Sequence, residues 1–392
     1  MKKILSLVFI AMFTVMVAAG CGSTPSSAPA SQPASASQTP GSSTPASVPA
    51  SSSLADISEP DVPAGNGTAI RIAGLKGPTT MGMVKLMSDS DAGETAYDYQ
   101  VEMYGTADAI VPLLVSGELD AAAIPANLAS VLYNNTEGAI QVAAINTLGV
   151  LYVVETGDAI QSIEDLRGKT VYSTGAGTTP QFALNYILGQ NGIDPETDLT
   201  IEYKSEATEI AALLNAGEDA IAVLPQPYVT AVQMQNENVR VALNLTEEWD
   251  AVSTGSRMVT GVLVVRKAFL GDAAGAEAFA TFLQDYQASI EWVNANTADA
   301  AQLVAAYGIV EKAPVAEKAL PACNIVYIAG GDMVTDLAGY LEVLFEQNPA
   351  AVGGALPGDD FYLTEPAAGG ATGGGDSVVD ASDATDSSLP AA

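Results

Sequence analysis

The sequence IVPLLVSGELDAAAIP, from Ile110 to Pro125, decides the fold, and IAALLNAGEDAIAVLP echoes it from Ile210 to Pro225. In each copy an apolar i, i+3, i+4 stripe predicts an amphipathic helix that a glycine ends. A short acidic turn and a four-residue apolar run follow, and a proline then stops the predicted buried strand. Ligands of open α/β sheets bind outside the carboxyl ends of strands. Two such ends therefore predict a cleft between two related lobes.

The evidence that the two copies are related is their agreement in residue type. The matching pairs are Ile110/Ile210, Leu113/Leu213, Leu114/Leu214, Gly117/Gly217, Glu118/Glu218, Ala122/Ala222 and Pro125/Pro225. Two unrelated α/β units can share a helix–turn–strand pattern by chance. Because the turn and the proline stay in register, the pattern favours kinship.

The amino terminus has the pattern of an export signal, residues 1–20. Lys2 and Lys3 precede an apolar segment, Ile4 to Val17, and small residues lead directly to Cys21. A polar tract follows at once, which is typical of a signal peptide rather than of a membrane span. The ending Ala-Ala-Gly-Cys resembles a bacterial lipobox, in which Cys21 is lipidated after cleavage. The alternative is an ordinary cleavage site with an incidental cysteine.

Composition excludes several classes of site and partner. The chain has no histidine, and Cys323 is its only cysteine besides Cys21, so a Cys/His metal site is excluded and lipidation of Cys21 would leave no internal disulfide. The formal net charge is −32. Nucleic acid and anionic lipid surfaces are therefore disfavoured as partners. The acidity is most simply explained by solubility outside the cell.

Low-complexity sequence flanks a folded body. Residues 21–59 are mostly Ser, Pro, Ala and Thr, and residues 366–392 are mostly Gly, Ala, Ser and Asp, so neither can bury a core. We expect a disordered linker and a disordered acidic tail. In the body between them, strands alternate with helices, which predicts mostly parallel sheets with helices on both faces. The segment Gly74 to Met81 is predicted to be a loop, and Asp108 is predicted to cap the first helix of the echo.

Two further motifs carry a resemblance to a known family. They are SIEDLRGKTV, residues 162–171, and NGIDPETDLTIEY, residues 191–203. With the lipobox and the helix–strand–proline units, they resemble the solute-binding lipoproteins of ABC importers, in the SsuA-like branch that binds sulfonates, nitrate or thiamine precursors. The resemblance covers about residues 68–350. It identifies the superfamily well and the ligand poorly.

This resemblance implies the type II periplasmic-binding-protein fold, an α/β fold of two lobes with two hinge crossings. The first lobe would comprise residues 60–153 and 257–365, and the second lobe residues 154–256. The lobes would close on a small molecule and present it to an ABC permease. We expect a monomer that is lipid-anchored to the bacterial cell membrane on the extracytoplasmic side, with no cofactor and no catalytic residues.

Gly175 to Thr179 is the best local candidate for ligand contact. Gly175 and Gly177 allow the backbone to approach a ligand closely, and the following helix leaves N–H groups free at its amino terminus. Thr178 or Thr179 adds a hydroxyl, and Pro180 suits the first helical position. A threonine that only caps the helix is an equal alternative.

Further ligand-binding candidates lie at other predicted strand ends and crossings. They are Thr79, Thr80, Met81, Asn127, Asn146, Gln226, Tyr228 and Arg257. The first three match the ligand loop of the resembling family by position. Asn127 and Gln226 can donate and accept hydrogen bonds, and Tyr228 can stack on a flat ligand or simply pack. Arg257 can hold a carboxylate or sulfonate if it faces the cleft, and otherwise is a surface cation.

Other functions stay open from sequence alone. The related folds include small-molecule enzymes, and the pyrimidine-precursor synthases among them depend on histidine, which this chain lacks. A sensor or adhesion lipoprotein can use the same fold without a transporter. The candidate loops are rich in Thr, Asn, Gln and Met, which favours a neutral or mixed-polarity heterocycle over a simple anion as the ligand.

Overall fold

The computed structural model describes residues 69–216 and 219–364 of the chain. The predicted signal peptide, Cys21, the linker and the C-terminal tail lie outside the described residues, as do Gly217 and Glu218 in the second copy of the echo. Among the described helices, none combines the length and apolar composition needed to cross a membrane.

The strands and helices alternate along most of the chain. The strands are β1 (Ala69–Leu75), β2 (Asp98–Tyr104), β3 (Ala121–Pro125), β4 (Ile140–Leu148), β5 (Leu151–Glu155), β6 (Thr170–Ser173), β7 (Thr200–Tyr203), β8 (Ile221–Pro225), β9 (Arg240–Asn244), β10 (Val259–Arg266) and β11 (Ile325–Ile328). The α-helices are α1 (Pro78–Met81), α2 (Val84–Asp91), α3 (Val111–Ser116), α4 (Ala126–Asn135), α5 (Thr179–Gln190), α6 (Ala207–Asn215), α7 (Tyr228–Gln235), α8 (Leu245–Val252), α9 (Lys267–Leu270), α10 (Ala273–Ala295), α11 (Thr297–Ala306), α12 (Ala313–Ala319) and α13 (Gly330–Gln347).

The strands form two sheets, each at the centre of one lobe. The first lobe contains a six-stranded sheet in the order β11-β4-β10-β3-β1-β2, and the second lobe contains a five-stranded sheet in the order β7-β6-β8-β5-β9. The predicted two-lobed α/β fold is confirmed. The chain passes from the first to the second sheet between Leu148 and Leu151 and returns after α8, between Val252 and Val259.

The two echoed segments occupy equivalent places in the two sheets. The strand β3 lies between parallel β1 and antiparallel β10, and β8 lies between parallel β6 and antiparallel β5. Each strand ends at its proline and is followed by a helix, α4 or α7. In the first copy Gly117 ends α3 in the left-handed region (φ 83°), which favours glycine. The helix–strand–proline pattern is thus present in both lobes.

The sheets are mixed: most strands of each sheet run in one direction, as predicted, and β5, β10 and β11 run against them. β10 runs antiparallel to β3 and β4, and β5 runs antiparallel to β8 and β9. The cause is the pair of crossings. A chain that leaves the carboxyl edge of one sheet enters the other sheet at its carboxyl edge, and so it must run opposite to the parallel strands there.

Some local predictions also need correction. Pro78 to Met81 forms the short helix α1 rather than a loop, with Pro78 in its first turn, where proline is tolerated. Asp108 lies in a short 3₁₀ turn, and α3 begins only at Val111, so Asp108 does not cap that helix. The capped turn predicted at residues 162–170 is confirmed, because Ser162 and Asp165 form a reciprocal capping box.

The helix α13 connects the two lobes. Its buried side chains, which include Leu337 and Leu341, belong to one core cluster with Val262 and Val264 of β10. The same cluster contains Phe182 of the second lobe, and Gln347 Nε2 donates to the carbonyl of Phe182 at 3.1 Å. The interlobe region is therefore a packed contact as well as an opening.

Candidate functional site

The carboxyl ends of the parallel strands of both sheets face the crossings. In the first lobe Leu75, Pro125 and Leu148 end β1, β3 and β4, and in the second lobe Ser173 and Pro225 end β6 and β8. Only two residues, Gly149 and Val150, separate β4 from β5. The edges at which ligands bind in open α/β sheets therefore lie toward each other, as the echoed segments predict.

Thr79, Thr80 and Met81 follow β1 and are all buried in α1. The Thr80 hydroxyl donates to the Leu75 carbonyl at 2.6 Å, and Met81 belongs to the hydrophobic core of the first lobe. The Thr80 and Met81 side chains are therefore occupied by contacts within the first lobe. Of these three residues, Thr79 differs in that its Oγ1 has no hydrogen-bond partner among the described residues.

Asn146 lies beside Thr79, inside β4 rather than in the predicted connection between strands. Its Nδ2 donates to the Thr79 carbonyl at 3.3 Å, and its Oδ1 accepts from Thr147 Oγ1 at 3.0 Å. Gly261 of β10 permits this approach. A Cβ at position 261 would lie 2.5 Å from Thr79 Cγ2 and 2.7 Å from Asn146 Oδ1.

Gly261→Ala is therefore expected to force Thr79 or Asn146 out of place and to lower the free energy of unfolding by about 1–3 kcal/mol, the usual cost of overpacking. Urea unfolding followed by circular dichroism measures this loss. Gly331→Ala is the control, because nothing lies within 4 Å of a Cβ at position 331. Equal unfolding curves for the two variants would contradict the close contact.

Three of the five buried polar atoms that have no protein partner among the described residues lie at the interlobe edges. Within residues 69–216 and 219–364 the five atoms are Thr79 Oγ1, Asn185 Oδ1, Thr246 Oγ1, Thr260 Oγ1 and the Tyr286 hydroxyl. Thr246 and Thr260 lie within two residues of a strand end at the interlobe edges. Burial raises the pKa of Tyr286, which belongs to α10.

The backbone of the Gly175 to Thr179 loop has the left-handed conformation that glycine favours. Gly175 and Gly177 adopt φ of 74° and 75°. Thr178 occupies the N-cap position of α5, but its hydroxyl donates to the Gly175 carbonyl at 2.8 Å instead of capping the helix. Thr179 is buried, and its Oγ1 lies 3.4 Å from the Tyr340 hydroxyl of α13. Ala176 and Thr178 carry the exposed side chains of this loop.

Three further candidate residues already have a hydrogen bond or an ion pair within the protein. Asn127 Nδ2 donates to the Ala351 carbonyl at 3.3 Å. Gln226 is buried, and its Oε1 accepts from the Thr230 hydroxyl at 2.9 Å at the start of α7. The Arg257 guanidinium lies 3.7 Å from Asp336 on α13. Arg257 therefore has a carboxylate partner within the protein, which weakens its candidacy as a ligand anchor.

Tyr228 lines a cavity of about 350 Å³ that residues of both lobes enclose. The lining residues are Lys76, Pro227, Tyr228, Ala231, Gln235, Ile309, Val310, Glu311, Lys312 and Val315. Sequence reasoning missed Lys76 and Lys312. Lys76 lies inside the loop that the sequence had singled out after the first strand, but Lys312 carries no local signal.

The two lysines of this cavity differ from most cations of the protein. All five arginines and three lysines form ion pairs with carboxylates. Lys76 and Lys312 have no carboxylate partner among the described residues. No group of His, Cys, Asp or Glu side chains in that part of the chain is placed to hold a metal ion. The cavity thus offers two ammonium groups, the carboxylate of Glu311 and one exposed aromatic ring.

Comparison with known proteins agrees with this architecture. Residues 92–248 match the family model of the phosphonate periplasmic substrate-binding protein of ABC transporters. A search of curated proteins found no match. Many solved structures share the fold.

Three of these solved structures illustrate the likeness. An ABC transporter protein from Parabacteroides distasonis has a TM-score of 0.64 and 23% identity, over 75% of this chain and 98% of its own. The aliphatic sulphonate binding protein SsuA from Escherichia coli has a TM-score of 0.57 and 15% identity, over 72% and 88%. The alkanesulfonate-binding protein SsuA from Xanthomonas axonopodis, bound to MOPS, has a TM-score of 0.54 and 14% identity, over 76% and 97%. The expected resemblance is confirmed: the chain has the two-sheet fold of periplasmic substrate-binding proteins, and its residues 92–248 match the phosphonate-binding family of ABC transporters.

Proposed function

We propose that this protein is an extracytoplasmic solute-binding protein that captures a small molecule between its lobes and delivers it to an ABC importer. The observation that carries the proposal is the position of the cavity lined by Lys76 and Tyr228. Its lining includes Lys76, which follows β1, and Pro227 and Tyr228, which follow β8, so residues of both lobes line it. Ligands of open α/β sheets bind at such edges.

The remaining expectations about the whole chain belong to the same proposal. Residues 1–20 direct export, Cys21 carries the lipid anchor, and residues 21–59 tether a monomeric body to the outer face of the cell membrane. The first lobe comprises residues 60–153 and 257–365, and the second lobe comprises residues 154–256. A lipid-anchored receptor suits capture and delivery better than catalysis, so we propose no enzymatic role.

The cavity favours a solute of mixed polarity. Phosphonate is the ligand in the description of the matching family, and aliphatic sulphonate is named for the protein from Escherichia coli. An anionic group of either kind would be held here by Lys76 and Lys312. Because the arginines of this chain are already paired with carboxylates, the bidentate guanidinium clamp that often holds such groups is missing from the proposed site. Tyr228 offers a stacking surface to the rest of the solute.

A thermal-shift screen tests the proposal. The mature chain carrying Cys21→Ser is heated with ethanesulfonate, methylphosphonate, nitrate, thiamine, its hydroxymethyl-pyrimidine precursor, riboflavin and amino acids. A solute at one hundred times its Kd stabilises the protein by about 2.7 kcal/mol, which raises the melting temperature measurably. We expect one chemical class to do so. A flat response to the whole panel would contradict the proposal for these solutes.

Matched lysine variants then locate the site. Lys76→Gln and Lys312→Gln should each reduce the thermal shift given by an anionic solute. Lys318→Gln is the control. Lys318 lies on α12, the helix that Lys312 precedes; it is exposed and does not line the cavity. An equal loss in all three variants would mean that overall charge, rather than this cavity, controls binding.

A further inference from the structure

The segment that follows α12 contacts both lobes beside the first crossing. It comprises residues 320–324 and begins with a short 3₁₀ turn, Leu320–Ala322. Leu320 and Cys323 belong to the hydrophobic core of the first lobe, whereas Ala322 packs against the core cluster of the second lobe. The segment 320–324 is therefore a connection between the lobes that is separate from α13.

One side chain of the second sheet is hydrogen-bonded to this segment. Tyr152 lies on β5 and is 8% exposed, and its hydroxyl donates to the Ala322 carbonyl at 3.0 Å. Tyr152 itself belongs to the core cluster of the second lobe, together with Val229 and Val232 of α7. The hydrogen bond thus joins the core of the second lobe to the backbone of the first.

The segment 320–324 is also bonded to the crossing itself. The Leu148 N–H donates to the Asn324 carbonyl at 3.1 Å, and Asn324 Nδ2 donates to the Gly149 carbonyl. Asn324 adopts φ of 45°, in the left-handed region, where asparagine is enriched among the non-glycine residues. These bonds fix the segment at the point where the chain leaves the first sheet.

The segment continues directly from a helix that forms one wall of the candidate cavity. The helix α12 ends at Ala319, and the cavity lining includes Val315 of this helix and Lys312, which precedes it. The opposite wall includes Tyr228 and Ala231 of α7. A separation of α12 from α7 would therefore open the cavity.

We propose that the Tyr152 hydroxyl is an interlobe latch, which holds the Ala322 carbonyl and so positions α12 against α7. Its effect on affinity rests on the proposed solute-binding function. Tyr152 is not among the residues that line the cavity, so it is a positioning residue that acts through α12. A single neutral hydrogen bond has a modest net free energy, so this latch can break and re-form as the lobes move.

The distance between the lobes tests the latch without any solute. Nitroxide labels on Glu209→Cys of α6 and Glu317→Cys of α12, both exposed positions, report this distance by double electron–electron resonance. The protein carries Cys21→Ser, and Cys323 stays unlabelled, because it is fully buried and burial raises the pKa of its thiol to about 12. In the solute-free protein, Tyr152→Phe should shift or broaden the distance distribution.

Solute affinity gives the second measurement. The Kd of a solute identified by thermal shift should rise about fivefold in Tyr152→Phe, measured by isothermal titration calorimetry, because closure then lacks one hydrogen bond. At saturating solute, the distance distribution of the variant should coincide with that of the wild type, since the solute itself then holds the lobes together. A merely structural role of Tyr152 would lower the melting temperature and leave the distances unchanged.

Tyr99→Phe is the matched control, because the Tyr99 hydroxyl donates to Asp285 Oδ2 at 2.6 Å within the first lobe. It should lower the melting temperature and leave both the distances and the Kd unchanged. Distances in solute-free Tyr152→Phe that equal those of the wild type would overturn the latch. A Kd unchanged within about twofold would overturn its role in positioning the cavity. If no solute of the panel binds the wild-type protein, the solute-binding function fails, and the distances still decide whether the latch exists.

Discussion

Asp120→Asn is expected to lower the free energy of unfolding by about 3 kcal/mol, because it removes a buried carboxylate whose hydrogen bonds to two arginines are charge-assisted. The Asp120 side chain is 2% exposed and follows the acidic turn of the first echoed segment. It accepts from Arg71 Nε at 2.9 Å and Nη2 at 2.6 Å, from the Arg71 backbone N–H at 3.0 Å and from Arg266 Nη2 at 3.0 Å. It therefore ties β1, β3 and β10 together.

The same carboxylate predicts a pH dependence. Burial alone would raise the pKa of Asp120, but its hydrogen bonds from Arg71 and Arg266 prevail, and the pKa lies below its ordinary value. A depressed folded-state pKa gives stability that is fully present above the unfolded-state value of about 3.9 and is lost as the pH falls through the folded-state value. The difference between wild type and Asp120→Asn should therefore be constant near neutrality and shrink in acid.

Guanidinium unfolding at several pH values measures both effects. Glu118→Gln is the control, because Glu118 lies exposed in the same turn and should cost less than about 0.5 kcal/mol. A loss for Asp120→Asn as small as that of the control would show that the two arginines do not depend on this carboxylate.

Trp249→Ala is expected to cost about 3–5 kcal/mol, as for other large aromatic truncations in cores. Trp249 is fully buried on α8 in the second lobe. Its ring lies 4.4 Å from that of Tyr186 on α5 and 5.6 Å from that of Tyr340 on α13, and its Nε1 donates to Ser256 Oγ at 3.2 Å. Because α13 also packs on the first sheet, the truncation should loosen the lobes as well as the core.

Circular dichroism during urea unfolding measures the stability loss, and small-angle X-ray scattering measures the radius of gyration. Trp249→Phe should lose less stability than Trp249→Ala because it keeps an aromatic ring in the stack. Trp292→Ala is the control within the first lobe, where the ring is only partly buried. Trp249→Ala with an unchanged radius of gyration would argue against α13 as the connection between the lobes.

The two-lobed arrangement could be predicted from the sequence because it depends on local sequence patterns. The i, i+3, i+4 stripe at Ile110 and Leu114, repeated at Ile210 and Leu214, predicted two helices whose stripe residues are buried. The prolines at 125 and 225 marked the strand ends that lie at the interlobe edge. Each of these signals depends on neighbours within a few residues, which a single sequence displays.

Which strands run antiparallel to their neighbours could not be predicted from these local patterns. The apolar runs of β5 and β10 look alike whether they pair in parallel or antiparallel, since periodicity reports burial and not direction. The short strand β11 was missed for a related reason. Its four residues, Ile325–Ile328, are too few to separate a strand from a buried turn.

The site was predicted in part, because long-range contacts set its details. Thr79, Asn146 and Tyr228 lie at the interlobe edge or line its cavity, whereas Asn127, Gln226 and Arg257 hold partners within the protein. Ligand contact by any of the candidate residues stays a prediction.

The central claim is that a small solute binds between the two lobes. A crystal structure grown with the solute that gives the largest thermal shift tests it most directly. We predict solute density bounded by residues of both lobes, with contacts to Tyr228 from the second lobe and to Lys76 or Thr79 from the first. Density confined to a single lobe, or lying away from the carboxyl ends of β1 and β8, would contradict the account.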